Sequence, residues 1–306
     1  MTGLPLTEIR PIHGVAVDQG SGLAAALRDA RGGDARDDDL YQFKRIVAEV
    51  LSEDATTLLV DALYGRDLLP FIKSSCVPML AFEADVYRIA NDDRITVLPD
   101  DLRISDYPGL GVGVLKFFLY YGPDDSAGIN DRKHALVRDI GAQCREHGVT
   151  FLFEPIVYDR AIADAASPEF AARKPDLVER ATRRFAAAEF GIDILKVELP
   201  VNLNFVEGYG TALMSRAEAE AAFARAAAAA GDIPLLYLSA GVTFSQFEAG
   251  LKLARSAGAD FAGFMCGRAI WNDAVAVFGS GGPSAAEQWM RDEGRRRFGR
   301  LAEALR

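Results

Sequence analysis

A chain of 306 residues, half of them hydrophobic, is long for an ordinary domain but normal for a single α/β barrel. The formal net charge of -10 disfavours nucleic acids and anionic membranes as partners, because both would be repelled. No apolar run reaches the roughly 18 residues of a membrane span, and the N-terminal segment lacks the features of a signal peptide. Three cysteines without CxxC spacing indicate reduced thiols and predict a cytoplasmic protein: Cys76, Cys144 and Cys266.

Short apolar segments alternate with longer amphipathic ones along the whole chain. Eight of the apolar segments are predicted as strands, at residues 14–19, 57–61, 78–83, 112–118, 150–154, 194–200, 234–239 and 261–267. Such continuous apolar runs fit a parallel sheet that is buried on both faces. The alternation predicts an α/β fold, a (β/α)8 TIM barrel in one domain spanning residues 1–306. An open doubly wound sheet is the alternative, but no G-x-G-x-x-G follows the first strand.

Helices are predicted between these strands from apolar spacing and from capping residues. The predicted helices include residues 39–52, residues 130–147 with Asn130 as the cap, and residues 175–190 after an irregular segment at 161–174. Ser215 with Glu218 and Thr243 with Gln246 have the spacing of capping boxes. Ser284 with Glu287 is predicted to open the last helix, and the glycine-rich stretch 279–282 is interpreted as a turn before it.

Two charged residues, Lys196 and Glu198, lie two apart within the predicted sixth strand. Because side chains alternate along a strand, both point to the same face. Burying a lysine there is costly unless it is paired or used. One interpretation is a structural ion pair. The other is an amine nucleophile, since burial readily lowers the pKa of a lysine and activates it toward a carbonyl.

Polar residues mark the carboxyl ends of almost all the predicted strands, which is where a TIM barrel places its active site. They include Asp18, Gln19, Asp61, Glu83, Glu154 and Glu198, with Lys116 inside the fourth strand and Arg66 shortly after the second. The loops after strands 7 and 8 offer a hydroxyl, two flexible glycines and a guanidinium, from Ser239, Gly241, Gly267 and Arg268. This combination predicts a phosphate or other anion site.

An imine-forming lysine fits this layout. Lys196 would attack a ketone, and Lys116 would keep it deprotonated by like-charge repulsion. The protonated imine permits cleavage of a C–C bond, with Glu154 moving the proton of the alcohol. Asp18 and Gln19 could position substrate hydroxyls. This is class I aldolase chemistry without metal or cofactor, and two of the three histidines share one predicted helix, which disfavours a three-histidine zinc site.

The chain resembles the class I tagatose-1,6-bisphosphate aldolase family, which includes the sulfofructose-phosphate aldolases. The matching stretches are AVDQ, LLVDALYG, LKFFLYYGPDDSAGINDRK, FLFEPIVYD, ILKVELPVNLNFVEGYG, YLSAGVT and CGRAIW. The resemblance implies a Schiff base on Lys196, proton transfer by Glu154 and substrate roles for Asp18, Gln19 and Lys116. It also implies anion binding by Ser239, Gly241, Gly267 and Arg268. Glu198 joins the candidate substrate-binding residues.

Two departures from the family concern the second anionic group of the substrate. The family's arginine after Asp-Gln is Gly20 here, and its D-P-E-Y-G is replaced by DALYG at residues 61–65. Either Arg66 replaces the missing cation or the substrate carries a single phosphate.

The expected reaction converts a ketose phosphate, such as tagatose 1,6-bisphosphate, to dihydroxyacetone phosphate and an aldehyde such as glyceraldehyde 3-phosphate. The alternatives are another sugar-phosphate, sulfosugar or sugar-acid aldolase and a barrel that has lost catalysis and acts as a regulator. The apolar, arginine-rich C-terminal segment predicts a homo-oligomer.

Overall fold

Eight parallel strands close into a barrel in the computed structural model, which describes residues 5–33, 36, 38–85 and 93–306. Each strand pairs with the next in chain order, and the last pairs with the first. The strands are β1 (Ile12–Val17), β2 (Thr57–Val60), β3 (Val77–Ala81), β4 (Val114–Tyr121), β5 (Thr150–Val157), β6 (Ile194–Glu198), β7 (Leu235–Leu238) and β8 (Gly263–Cys266). The TIM barrel is confirmed, and all eight predicted strands are present.

Helices surround the barrel and cover its outer face. They are α1 (Ser21–Ala30), α2 (Asp39–Leu51), α3 (Gly65–Leu68), α4 (Ala127–His147), α5 (Pro168–Phe185), α6 (Arg216–Ala228), α7 (Phe244–Ser256), α8 (Arg268–Trp271), α9 (Ala274–Trp289) and α10 (Arg295–Glu303). Both predicted capping boxes are confirmed: Ser215 and Thr243 accept from the backbone of Glu218 and Gln246, whose side chains bond back. None of the described helices is both long and apolar enough to cross a bilayer.

Several predicted helix boundaries are wrong. Asn130 does not cap α4, which begins after Ser126; its side chain instead donates to Gly122 O at 3.1 Å. The segment predicted as irregular contains the start of α5, where Ser167 is the cap and Pro168 the first helical residue. The stretch 279–281 is helical, and α9 is kinked at Gly282, whose φ of 75° and ψ of -172° interrupt the helix.

The barrel interior is arranged in layers, with an apolar floor below a charged layer. Val114, Leu152 and Ile194 are buried in the floor. Two residues further along the same three strands come Lys116, Glu154 and Lys196, which therefore point into the barrel one layer higher. The floor deprives this layer of water on one side, so the charged groups must find their partners among themselves.

The arginine-rich C-terminal helix packs against its own chain. Arg295 pairs with Asp54 at 2.7 Å, and Arg297 pairs with Asp273 at 2.6 Å. Arg300 pairs with Glu248 on α7. The arginines that suggested a subunit contact thus have partners within the chain.

Candidate active site

A cavity of about 690 Å³ opens at the carboxyl ends of the strands. Ten of the eleven predicted site residues line it: Asp18, Gln19, Lys116, Glu154, Lys196, Glu198, Ser239, Gly241, Gly267 and Arg268. They are spread along the sequence from residue 18 to residue 268, and closure of the barrel brings them to one place.

Lys196 and Glu154 form the centre of the cavity floor. Lys196 Nζ donates to Glu154 Oε2 at 2.9 Å, and Lys116 Nζ lies 3.1 Å from the same oxygen. Lys196 and Lys116 are 3% and 1% exposed, so both charges are held almost without water. Two amines on one carboxylate oxygen are the arrangement that the proposed repulsion between the lysines requires.

Lys116 is surrounded by carboxylates. Besides Glu154 it contacts Asp18 at 2.9 Å and Glu83. Burial lowers the pKa of Lys116, but the Asp18, Glu154 and Glu83 charges outweigh burial and raise this pKa well above its ordinary value. Lys116 therefore keeps its proton and is a poor nucleophile. Lys196 contacts a single carboxylate among the described residues and is the better candidate.

The two other carboxylates on Lys116 are perturbed in opposite directions. Burial raises the pKa of Asp18, but the charges of Lys116 and Lys196 dominate and lower it to about 2. Burial raises the pKa of Glu83 to about 7, because the nearby Asp18 and Glu154 charges add to burial and Lys116 only partly offsets them. Asp18 is thus a fixed anion, whereas Glu83 can hold a proton near neutral pH.

Lys196 and Glu198 do not form the ion pair considered for them. Glu198 Oε1 pairs with Lys174 Nζ on α5 at 3.1 Å, and Glu198 Oε2 accepts from the backbone of Val157 at 2.9 Å. Lys196 instead donates its hydrogen bond to Glu154. Glu198 is therefore occupied by protein partners, while the Lys196 amine faces the cavity.

Gln19 has a free acceptor at the cavity wall. Its Nε2 donates to Asp18 Oδ1 at 3.2 Å, and its buried Oε1 accepts no hydrogen bond from the described residues. A buried acceptor without a donor is costly, and a substrate hydroxyl would satisfy it.

In the two loops that form the predicted anion site, after β7 and β8, the backbone conformation and close packing favour glycine. Ala240 and Gly241 have left-handed φ values of 48° and 82°, and a Cβ on Gly241 would lie 3.0 Å from Arg268 Nη2. A Cβ on Gly267 would lie 2.1 Å from Ala16 O, so glycine is required where this turn crosses β1. Within the described ranges Arg268 has no carboxylate partner, which leaves its guanidinium available to a ligand.

Arg66 is the predicted residue that the structure does not bring to the others. It pairs with Asp101 Oδ2 at 2.8 Å and donates to Asp101 O at 3.0 Å, and it does not line the cavity. At the position of the family's arginine, Gly20 lies against Asp85, because a Cβ on Gly20 would be 3.0 Å from Asp85 Oδ2.

The sequence analysis missed several residues of the lining, among them Arg94, Lys174 and Tyr158. A signal for Lys174 existed, because Phe170, Lys174 and Leu177 have the spacing of one helix face. Arg94 lies in the long connection between β3 and β4, where no periodic pattern relates the chain to the barrel.

The histidines lie outside the cavity lining. His13 stacks on Phe264 with ring centroids 5.6 Å apart, and His134 Nε2 hydrogen-bonds with Tyr121 Oη at 3.1 Å. In the part of the chain that the structure describes, no three His, Cys, Asp or Glu side chains form a group able to hold a metal ion.

Solved aldolase structures share this architecture. Fructose-bisphosphate aldolase from Plasmodium falciparum aligns with a TM-score of 0.72 over 95% of this chain and 90% of its own, at 13% identity. An archaeal fructose-1,6-bisphosphate aldolase, whose catalytic lysine is covalently bound to a carbinolamine intermediate, aligns with a TM-score of 0.61 at 14% identity. It covers 96% of this chain and 94% of its own. At such low identities the likeness establishes the fold alone.

Sequence comparisons identify the family. The model of the DeoC/LacD family aldolases matches residues 13–273. Tagatose 1,6-diphosphate aldolase 2 of Streptococcus pyogenes is 36% identical over 296 residues, which cover 96% of this chain and 90% of the relative. Tagatose 1,6-diphosphate aldolase of Listeria monocytogenes is 32% identical over 295 residues, which cover 96% and 87%. The predicted family resemblance is confirmed: the chain belongs to the DeoC/LacD family and is a class I aldolase.

Proposed function

We propose that the chain cleaves a ketose 1,6-bisphosphate, namely tagatose 1,6-bisphosphate or a close relative, through a Schiff base on Lys196. The products would be dihydroxyacetone phosphate and an aldehyde such as glyceraldehyde 3-phosphate. The observation that carries the proposal is the 2.9 Å contact between Lys196 Nζ and Glu154 Oε2 in a buried cavity. The names of the S. pyogenes and L. monocytogenes relatives support the choice of sugar.

The reaction begins when the neutral Lys196 amine attacks the C2 carbonyl of the ketose. With one proton taken up from solvent, the hydroxyl of the resulting carbinolamine leaves as water, and a protonated imine remains between Nζ and C2. Lys116 stays protonated because three carboxylates contact it, so the imine forms on Lys196 rather than on Lys116. The apolar floor beneath both lysines limits competition by water.

Cleavage follows because the iminium accepts electrons. Glu154 takes the proton of the C4 hydroxyl, the C3–C4 bond breaks, and its electron pair moves to C3 as an enamine conjugated to nitrogen. The C4–C6 fragment leaves as the aldehyde. Protonation of C3 and hydrolysis of the imine then release dihydroxyacetone phosphate and restore Lys196.

The other lining residues orient the sugar. Asp18, held ionised by Lys116, can accept from a substrate hydroxyl, and the free Gln19 Oε1 can accept from another. Arg268, Ser239 and the backbone at Gly241 and Gly267 would hold the phosphate on C1. Their position on one side of the cavity leaves the opposite side for the C4–C6 part of the chain.

The proposal is tested by turnover of a panel of ketose phosphates: tagatose and fructose 1,6-bisphosphates, their 1-phosphates, and 6-sulfofructose 1-phosphate. Released dihydroxyacetone phosphate is measured with glycerol-3-phosphate dehydrogenase and NADH. A 1,6-bisphosphate with the highest kcat/KM supports the proposal. The sulfosugar as the best substrate would assign the chain to sulfofructose-phosphate cleavage, and no turnover of any member would refute aldol cleavage of these sugars. Lys196→Met serves as the inactive control.

A cytoplasmic location and a homo-oligomeric state complete the proposal. All three cysteines are buried and unbridged, in keeping with a reducing compartment. Fractionation of the source cells and light scattering of the purified protein test these two points.

A further inference from the structure

Within the part of the chain that the structure describes, Arg94 is a second cation of the cavity lining, after Arg268, that has no carboxylate partner. No described residue forms an ion pair with Arg94, and its guanidinium lies over the rings of Tyr120 and Tyr158. Lys174, also in the lining, is neutralised by Glu198 at 3.1 Å. Burying a charge without a partner is unfavourable, so a half-buried, unpaired guanidinium in a substrate cavity calls for an anion supplied by the ligand.

Arg94 lies across the barrel from Arg268. Its guanidinium carbon is 4.2 Å from the ring centre of Tyr158, which follows β5, and 5.6 Å from that of Tyr120 on β4. Arg268 follows β8. In a closed barrel of eight strands taken in order, the fourth and eighth strands are diametrically opposed. The two arginines therefore lie on opposite sides of the cavity that Lys196 also lines.

The aromatic support beneath Arg94 is itself held in place. Tyr158 is 6% exposed; its hydroxyl donates to Asp125 and accepts from Lys133 Nζ at 3.0 Å. Lys133 is fully buried. The backbone of Arg94 is left-handed, with φ at 52°, a conformation that side-chain-bearing residues rarely adopt. Stacking on a fixed ring orients a guanidinium and leaves its N–H edge free for an oxyanion.

The other side of the barrel mouth does not suit an anion. Beside β1 and β2, a smaller cavity of about 200 Å³ is lined by Asp18, Asp61, Glu83 and Asp85. Gly20, where the family has its arginine, faces Asp85, and Arg66 is bound to Asp101. A terminal phosphate placed there would meet carboxylates, whereas at Arg94 it would meet a cation.

We propose that Arg94 forms a subsite for a tetrahedral oxyanion, phosphate or sulfonate, at the end of the substrate distal to Arg268. The inference deepens the proposed function and rests on its assignment of a ketose substrate with the C1 phosphate at Arg268. It replaces the two alternatives drawn from Gly20, which were a substitute cation at Arg66 and a substrate with a single phosphate. Arg94 thus selects substrates that carry an anionic group at both ends.

The test measures binding without chemistry, so that it does not depend on catalysis. Hexitol 1-phosphate, hexitol 1,6-bisphosphate and 6-sulfohexitol 1-phosphate lack a carbonyl and cannot form an imine. Their dissociation constants are measured by calorimetry for the wild type, Arg94→Ala, Arg94→Gln and the control Arg66→Ala. In the wild type and in Arg66→Ala, the second anion should tighten binding by roughly 10- to 100-fold. Arg94→Ala and Arg94→Gln should lose most of this preference and bind hexitol 1-phosphate as before. Comparing the bisphosphate with the sulfonate shows which oxyanion the subsite prefers.

Three results would overturn the subsite: no preference for a second anion in the wild type, equal weakening of all ligands by both Arg94 variants, or loss of the preference in Arg66→Ala. Circular dichroism checks that the variants fold, and the glutamine variant keeps bulk and polarity at the position. Failure of the proposed function would look different. No ketose phosphate would be cleaved, yet the Arg94-dependent preference among hexitol phosphates would persist.

Discussion

Lys196 Nζ lies 2.9 Å from Glu154 Oε2, although the two residues are 42 positions apart in the sequence. The contact joins the middle of β6 to the carboxyl half of β5, with both side chains rising from the same apolar floor. A nucleophile and a proton acceptor in direct contact form the smallest unit that can make an imine and then break the adjacent bond.

Borohydride reduction in the presence of substrate should trap the ketose on Lys196. The reduced adduct would add its mass to the peptide that contains Lys196, as seen by mass spectrometry after digestion. Lys196→Met should abolish both turnover and labelling while the circular dichroism spectrum stays unchanged. Labelling of Lys116 in the wild type would contradict the assignment, since Lys116 is held protonated by its carboxylates.

Glu154→Gln should separate imine formation from cleavage. The amide can still accept a hydrogen bond from Lys196 but cannot take the proton of the C4 hydroxyl. Loss of general acid–base catalysis typically lowers kcat by about 10²- to 10⁴-fold, whereas borohydride trapping should persist. Glu198→Gln is the matched control, because Glu198 is occupied by Lys174 and Val157. A near-normal kcat for Glu154→Gln would move the proton transfer to another carboxylate.

EDTA should leave kcat and KM unchanged. The protonated imine on Lys196 is the electron sink, so the proposed cleavage needs no Lewis acid on the carbonyl. A metal-dependent aldolase assayed in parallel provides the control for chelation. Activity that falls with EDTA and returns with added Zn²⁺ would contradict the Schiff-base route.

The charged layer of the site was predictable because strand geometry fixes it. A lysine within an apolar parallel strand must point either to the barrel interior or to the helices, and Lys116, Glu154 and Lys196 continue the inward register of the apolar floor. Arg94 was not predictable, since its place depends on a long connection folding back onto Tyr158. The start of α5 was misplaced because Pro175, taken as a first helical residue, lies inside a helix that Ser167 and Pro168 begin.

Glu83 should make the protein less stable as the pH rises from about 4.5 to 7. The pKa of Glu83 is 4.5 when unperturbed and about 7 in the folded protein, so the folded state binds the proton more tightly. The stability that Glu83 contributes is fully present below pH 4.5 and is lost as the pH rises through about 7. The loss in the free energy of unfolding is at most about 3 kcal/mol. Glu83→Gln mimics the protonated acid and should remove this fall.

The measurement is the free energy of unfolding in urea at pH 5 and pH 8 for both proteins. Burial lowers the pKa of His134 to about 4, so this histidine makes the protein more stable as the pH rises. The effect of Glu83 is therefore the difference between the pH dependence of the wild type and that of Glu83→Gln. Exposed Glu303→Gln is the control. An identical pH dependence in Glu83→Gln and the wild type would show that Glu83 is ionised throughout this range.

Arg268→Ala should weaken binding at the C1 phosphate. Arg268 lies beside Gly241 and has no carboxylate partner among the described residues, so its N–H groups are available to donate to a ligand. A hydrogen bond to a charged group contributes roughly 1.5–3 kcal/mol, which corresponds to a loss of about 10- to 150-fold in kcat/KM. Most of the loss should appear in KM, because the phosphate is bound equally in the ground state and the transition state.

Initial rates for ketose 1-phosphates and 1,6-bisphosphates test this, with Arg66→Ala as the matched arginine control outside the cavity. The kcat/KM of both substrates should fall by the same factor, since both carry the C1 phosphate. A loss confined to the bisphosphate would instead place the distal anion at Arg268 and reverse the orientation of the substrate in the barrel.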